Sequence, residues 1–296
     1  MSDSQHSIGY LAQVACTWEV LARKAGNVCP GREFPDLCVN DFLVSAAAIA
    51  PVLEQAPHQP LGVTVLRCIE ATRKVVSTNT NLGIVLLLAP LASVPLDQPL
   101  RLGLSEVLAR TTVDDSRNAY AAIRLAKPGG LGEAKEQDVR QEPTLPLRDV
   151  MALAMERDWI AAQYAMDFDF VIHCLATMLV DHAERFQNIE RAIVAIQLEL
   201  LCDLRDSLIL RKFGDDEPRR IQTHARKIRS LGGLDAPQGR RAFLDFDAFL
   251  RSDNHARNPG TTADLIAAAL FVALRQKQIS LTTPFVWEQH PFQDAV

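Results

Sequence analysis

The sequence predicts an all-α protein, a single large helical domain of about ten or more helices. Apolar residues recur at three- and four-residue spacing along most of the chain, as on the buried face of a helix. Ala and Leu outweigh Val and Ile in the strongest segments, and alternating β-branched runs are nearly absent. Its 296 residues, 48% of them hydrophobic, suffice for a substantial core. The predicted domain covers residues 1–276.

Helical periodicity defines the elements in chain order. The predicted helices cover residues 10–24, 41–54, 62–76, a segment starting at 79–83, 114–126, 147–164, 168–185, 189–211, 217–230, 240–251 and 262–276. Loops are predicted at 26–40, 95–100, 127–146, 232–238 and 252–260, where turn-forming residues concentrate. The long polar loop 127–146 is either a lid over a site or a mobile connector.

The last twenty residues, 277–296, are predicted to be an extended tail that packs on the helical body. They contain Phe285, Trp287 and Phe292 among prolines. A free tail would not usually carry so many aromatic side chains.

Composition and charge exclude several classes of protein. The net charge of −5 and pI of about 5.8 favour neither nucleic acid nor an anionic membrane as a partner. Six scattered cysteines without a CxxC pair, and no secretory leader, predict reduced thiols and a cytoplasmic location. The histidines lack the spacing of transition-metal ligands. Apolar residues of the helix at 189–211 could support a homodimer, although core packing explains the same residues.

The segment 258–264, directly before the apolar run LIAAALFVAL, is a glycine-bearing helix start. Thr261 is predicted to be the N-cap, with Asp264 as the returning acid of a capping box. The free N–H groups of the first turn, including that of Thr262, could hold a phosphate that Gly260 allows to approach closely. The alternative is a well-capped structural helix.

A second helix start has the same build. Asn79, Thr80, Asn81 and Gly83 precede the apolar run IVLLLAPLA. Asn and Thr favour helix caps, which is the purely structural interpretation. Two such starts on one chain indicate donors that point at a common anion.

Two further polar clusters interrupt the helical pattern. The first lies at the end of the first helix and comprises Glu19, Lys24, Gly26, Asn27 and, further on, Asp36. Ordinary C-terminal capping explains the lysine and the glycine but leaves both carboxylates unexplained.

The other cluster lies at the end of the predicted helix 189–211. Asp206 stands within an apolar helix, and Arg211 and Lys212 crowd the last turn before Gly214. These residues are either a normal helix end or one charged wall of a pocket.

The order of these clusters resembles the triphosphoribosyl-dephospho-CoA synthase family. The resemblance runs from about Glu19 to Ala269 and is carried by Glu19, Val20, Lys24, Gly26, Asp36, Ser45, Ala46, Asn79, Thr80, Gly83, Asp206, Ile209, Leu210, Gly214, Pro259, Gly260, Ala263, Asp264 and Leu265. It implies an all-helical enzyme that joins ATP to dephospho-CoA and expels adenine.

The chain departs from the family pattern at three places, and at the first of them Arg23 stands where the family has the proline that flanks its Lys-Pro-Gly element. The family's Asn-Thr-His-Lys-Gly element has Asn81 and Leu82 in place of the His and Lys, and its His-Arg-Gly-Gly element reads RKFG at 211–214. The segments PGREFPD and RDWIAAQYA resemble a divergent branch linked to methanopterin-type one-carbon metabolism. Three hypotheses follow: the family reaction, phosphoribosyl transfer from another donor to a pterin-cofactor precursor, and a non-catalytic nucleotide-binding or scaffold protein.

The family chemistry assigns roles to the residues of the four clusters. The predicted catalytic residues are Glu19, Asp36 and Asp206, with Glu19 as a candidate base. The predicted substrate-binding residues are Lys24, Gly26, Asn27, Asn79, Thr80, Asn81, Gly83, Arg211, Lys212, Gly260, Thr261, Thr262 and Asp264. Mg²⁺ is expected with a polyphosphate substrate, held by phosphate oxygens and by Asp36 and Asp206.

Overall fold

The computed structural model describes residues 6–287, which form fourteen α-helices. In chain order these are α1 Ile8–Leu21, α2 Val39–Glu54, α3 Leu61–Arg73, α4 Leu82–Ala92, α5 Leu100–Ala109, α6 Val113–Ala126, α7 Leu147–Ala152, α8 Trp159–Ala165, α9 Ala176–Phe186, α10 Ile189–Asp203, α11 Ser207–Phe213, α12 Asp216–Ser230, α13 Pro237–His255 and α14 Gly260–Arg275. Within that range, β-structure is limited to two isolated bridges. The all-α prediction is confirmed.

Helices α4 and α14 form the centre of the fold. Both are apolar around nearly their whole circumference, and almost every residue of each is buried. A helix without a polar face is stable only where neighbours cover it on all sides. Helix α14 packs against α1, α4, α9 and α10, and against the π-helical turn Phe170–Leu175 that leads into α9. The N-terminal ends of α4 and α14 are thereby held inside the molecule.

Two predicted helices are each broken in the structure. The predicted helix 189–211 is α10 followed by α11, and the predicted helix 147–164 is α7 followed by α8. An aspartate caps the second helix at each break: Asp206 accepts hydrogen bonds from first-turn amides of α11, and Asp158 from those of α8. Aspartate forms such caps readily, and the apolar periodicity on both sides concealed them.

Helix α5 is absent from the sequence prediction. Its core face is short, and Gly103 weakens the helical signal because glycine is a poor helix former. The structure needs a glycine there, since a methyl group at Gly103 would collide with the Val94 side chain.

The described part of the tail, residues 277–287, lies against the helical body. The Asn188 side chain bonds the backbone of Val286, and the indole of Trp287 donates to the Leu21 carbonyl at 3.1 Å. The Phe285 ring packs against Trp18. Phe292 lies outside the described residues. No helix within residues 6–287 is both long and apolar enough for a membrane crossing.

Candidate active site

A cavity of about 810 Å³ opens where the N-terminal ends of α4, α8 and α14 meet. Its wall is completed by the end of α1, by α11 and by the loop that follows α6. This volume lies within the range of small-molecule and cofactor sites.

The cavity brings together most of the residues predicted from the sequence. The predicted residues that line it are Glu19, Asn27, Asp36, Asn79, Thr80, Asn81, Gly83, Arg211, Lys212, Gly260, Thr261 and Asp264. Four others, Lys24, Gly26, Asp206 and Thr262, are buried near this wall but do not line the cavity.

Lys24 forms a buried ion pair with Glu19. Its Nζ lies 2.9 Å from Glu19 Oε1 and also donates to the carbonyls of Glu19 and Ala22 at the end of α1. The Lys24 side chain is fully buried, so it does not reach a phosphate in the cavity, which corrects its predicted substrate contact. Its observed role is to hold the Glu19 carboxylate at the wall.

Gly26 shapes the turn after α1. Its φ of +72° is in the left-handed region, and a methyl group there would collide with Leu250. Its N–H donates to Asp247 Oδ1 at 2.7 Å. The next residue, Asn27, lines the cavity, and its side-chain amide donates to Asn258 Oδ1 at 2.7 Å. Gly26 therefore positions this wall rather than contacting a substrate.

Asp206 caps two helices at once. Its Oδ1 accepts from the N–H groups of Leu208 and Ile209 in α11, and its Oδ2 accepts from the N–H and Oγ1 of Thr262 in α14, both at 2.8 Å. Burial raises the pKa of Asp206, and the hydrogen bonds from Thr262 oppose this rise. With both oxygens engaged behind the wall, Asp206 does not fit the role of a Mg²⁺ ligand.

The capping box predicted for α14 is wrong. Helix α14 begins at Gly260, and Asp206 rather than Thr261 caps the Thr262 amide. Thr261 Oγ1 instead accepts from the N–H of Leu208 at 3.2 Å. Because Asp206, from a distant segment, caps α14, the Asp264 carboxylate has no capping role.

Asp264 faces the cavity beside the start of α4. Within residues 6–287 its carboxylate has neither a hydrogen bond nor an ion pair, and a methyl group on Gly83 would collide with its Oδ2. Burial raises its pKa well above the usual range, with Glu19 and Asp206 as further causes.

The start of α4 presents hydrogen-bond donors to the cavity. Asn79 Oδ1 accepts from the N–H of Leu82 at 3.1 Å, whereas the N–H groups of Gly83 and Ile84 have no acceptor among the described residues. Thr78 Oγ1 is a buried polar atom of the wall that has no hydrogen-bond partner within residues 6–287. Such atoms are rare in native proteins and are satisfied by water or a ligand.

Thr80 and Asn81 also line the cavity but are tied to the surrounding helices. Thr80 Oγ1 lies 2.7 Å from Ser45 Oγ on α2, and the Asn81 side chain exchanges hydrogen bonds with Thr72 Oγ1 on α3. Both residues hold the start of α4 in place.

Arg211 and Lys212 supply positive charge from α11. The Arg211 guanidinium pairs with Asp158, the cap of α8, while its Nε is buried and has no hydrogen-bond partner in the described part of the chain. Lys212 Nζ lies 3.4 Å from the Ala256 carbonyl. Burial lowers the pKa of Lys212, and the Arg211 charge adds to this effect.

The loop after α6 covers these cations. Gly130, with a φ of +69°, packs against Arg211 and Lys212, and residues 127–139 supply much of the cavity wall. The loop is anchored by the Tyr120 hydroxyl, which donates to the Gln137 carbonyl.

Among the cavity residues that were not predicted from the sequence are four charged side chains. These are the cations Arg73, Lys127 and Arg157 and the capping acid Asp158. Two of them stand in the RDWIAAQYA segment, which marked a family branch but was not treated as a site. The other two look like solvated charges at the ends of predicted helices, so no local signal identified them.

A helical cavity lined by basic side chains, free helix-start amides and a carboxylate has the features expected of an enzyme site for a phosphorylated substrate. The model of the CitG family, ATP:dephospho-CoA triphosphoribosyl transferase, matches residues 5–283. The chain belongs to this family of transferases.

The structure supports the same relationship. It is similar to a crystal structure described as a "putative triphosphoribosyl-dephospho-CoA synthase" from Archaeoglobus fulgidus, with a TM-score of 0.64 and 26% sequence identity. The similarity covers 80% of this chain and 100% of that one. Comparison with curated proteins gives no significant match.

Proposed function

We propose that this protein transfers the triphosphoribosyl group of ATP to a ribose hydroxyl of dephospho-CoA and releases adenine. The observation that carries the proposal is the convergence of the four separated clusters on one cavity in a member of the family. Substrate positioning and electrostatic stabilisation are the main requirements of such a displacement.

The triphosphate is bound by the basic wall and the start of α4. Arg211 and Lys212 lie on one side, and the free amides of Gly83 and Ile84 lie at a helix N-terminus that favours negative charge. Lys127 and Arg157 are exposed cations at the same cavity. Local positive charge of this kind overcomes the net negative charge of the chain.

The site fits a Mg²⁺ ion that is held mainly by the substrate. Within the described residues, no cluster of three or more Asp, Glu, His or Cys side chains is arranged as a metal site. Mg²⁺ in polyphosphate sites often takes only one or two carboxylates beside phosphate oxygens. Asp36, exposed at the cavity and without an ion pair among residues 6–287, would supply such a ligand. The ion would neutralise part of the triphosphate charge.

Glu19 stabilises the positive charge that develops on the ribose in the transition state. Glu19 is held at the wall by Lys24, so one of its oxygens is engaged behind the cavity. Asn79 presents a side-chain amide that can orient a ribose hydroxyl, whereas the Asn27 amide is held by Gln197 and Asn258 and shapes the wall. These groups are in place before the substrate binds, which lowers the reorganisation needed in the transition state.

Adenine release tests the proposed function directly. Purified protein is incubated with ATP, Mg²⁺ and dephospho-CoA, and free adenine and the coupled product are followed by chromatography and mass spectrometry. We expect stoichiometric adenine and product only when both substrates are present. No turnover of this pair, or turnover only with a pterin-cofactor precursor as acceptor, would contradict the proposal.

Arg211→Lys is expected to raise the KM for ATP by about tenfold or more, because lysine keeps the charge but loses the planar donor fork. The unpartnered Nε in the cavity wall is the atom whose loss matters. Steady-state kinetics at varied ATP would measure the change. Arg205→Lys is the matched control, since Arg205 pairs with Asp215 on the surface and does not line the cavity. Equal KM values for both variants would contradict a phosphate contact by Arg211.

A further inference from the structure

The acidic side chains deep in the cavity are not equivalent. Glu19 is neutralised by Lys24, and Asp158 by Arg211. Asp206 accepts four hydrogen bonds from the starts of two helices. Asp264, which lines the same region, has no such partner among residues 6–287. Three of these carboxylates thus have partners within the fold, and the fourth is the one with both oxygens available to a substrate.

The position of Asp264 is set by backbone packing. It lies in the first turns of α14, and its Oδ2 lies so close to Gly83 that a side chain there would displace it. A methyl group on Gly83 would also collide with the Ile160 side chain of α8. The carboxylate is therefore held at the junction of α4, α8 and α14, where the triphosphate-binding amides of α4 begin.

We propose that Asp264 is the catalytic base that accepts the proton of the attacking hydroxyl. This role rests on the proposed transfer reaction. The acceptor O–H proton passes to an Asp264 oxygen while the acceptor oxygen bonds to C1′ of the ATP ribose. The C1′–N9 bond breaks, and its electron pair goes to N9 of adenine. Adenine takes up one proton from water as it leaves, and Asp264 returns its proton to solvent.

The surroundings of Asp264 make it a stronger base than an ordinary aspartate. Burial is the main cause of its raised pKa, and the carboxylates of Glu19 on α1, Asp206 before α11 and Asp158 before α8 add to it. Arg211 on α11 opposes the rise. The Cys16 thiol on α1 faces the same two carboxylates, Glu19 and Asp264, and its pKa is raised mainly by burial. A base with a raised pKa accepts a proton more readily than an ordinary aspartate.

The raised pKa also has a consequence for stability. An acid whose pKa is higher in the folded than in the unfolded state contributes stability below its unfolded pKa, and that contribution is lost as the pH rises through the folded pKa. Asp264 therefore contributes less to the stability of the folded protein at pH 8 than at pH 4. Asparagine at this position would remove the charge with little change of shape.

The test is Asp264→Asn in the full-length protein, with Asp203→Asn as control. Asp203 is an exposed aspartate at the end of α10, away from the cavity. For Asp264→Asn we expect kcat to fall by about 10²- to 10⁴-fold, as on loss of a general base. The dissociation constant for ATP should change less than about threefold, since the base does not hold the phosphates. The control should keep the wild-type values.

Two further readouts separate a base from a structural residue. Wild-type kcat should rise with pH up to the Asp264 pKa, and this limb should vanish in Asp264→Asn. The variant should also melt at a higher temperature than wild type at pH 8, with the difference shrinking towards about pH 4. A folded Asp264→Asn protein with more than a third of wild-type kcat would overturn the base role while leaving the transferase function intact. Absence of adenine release from the wild type would overturn both.

Discussion

Lys24→Ala is expected to lower the free energy of unfolding by about 3–5 kcal/mol, the usual effect of removing one partner of a buried ion pair. The Glu19 carboxylate would be left uncompensated, and the carbonyls at the end of α1 would lose their donor. Urea-induced unfolding followed by circular dichroism would measure the change. Turnover should fall as well, because Glu19 would no longer be fixed at the cavity wall.

The control for Lys24 removes both charges together. In the double variant Glu19→Gln and Lys24→Met, no charge remains buried at this site, so much of the lost stability should return. Arg205→Ala breaks the exposed pair with Asp215 and should change stability by less than about 1 kcal/mol. If Lys24→Ala were as stable as Arg205→Ala, the buried pair would not hold this wall together.

Asp206→Ala is expected to destabilise the protein by about 2–4 kcal/mol, since it removes the caps of two helices, each worth about 0.5–2 kcal/mol. The buried donors of Thr262 would also lose their acceptor. Turnover should fall at least about 10²-fold, because α11 carries Arg211 and α14 carries Asp264. Thermal unfolding and the adenine-release assay would measure the two effects.

The substitution Asp158→Ala provides a comparison for Asp206. Asp158 caps only α8, so its loss should lower stability less than the loss of Asp206. Both variants should retain Mg²⁺ dependence of turnover if neither residue binds the ion. A change of metal dependence confined to Asp206→Ala would restore Asp206 as a metal ligand and contradict its assignment as a double cap.

Sequence and structure agree wherever a feature depends on residues close together along the chain. Helical periodicity and composition predict the all-α class, because a buried apolar face leaves a regular pattern over several turns. The polar helix starts at 79–83 and 258–264 were also visible, since Asn, Thr, Gly and Pro interrupt that pattern. The order of the clusters pointed to the family that the comparison confirms.

The roles of individual side chains required the tertiary structure. Lys24 and Asp206 have the residue types and the spacing of ligand-binding groups, yet one closes the end of α1 and the other caps two helices. Asp264 has the spacing of a capping residue, yet it faces the cavity. For Asp264 the partner that decides the role lies far away along the chain: Asp206, 56 residues before Thr262, caps α14 in place of Asp264.

Taken by itself, the sequence determined the all-helical class, the two glycine-bearing helix starts and the transferase family, since each depends on neighbours within a few turns or on the order of motifs. Only the tertiary structure decided which charged groups face the cavity. The physical reason is burial: an acid or base is free to act on a substrate only if no other group of the fold neutralises it, and for Asp158 and Asp206 those groups come from distant segments.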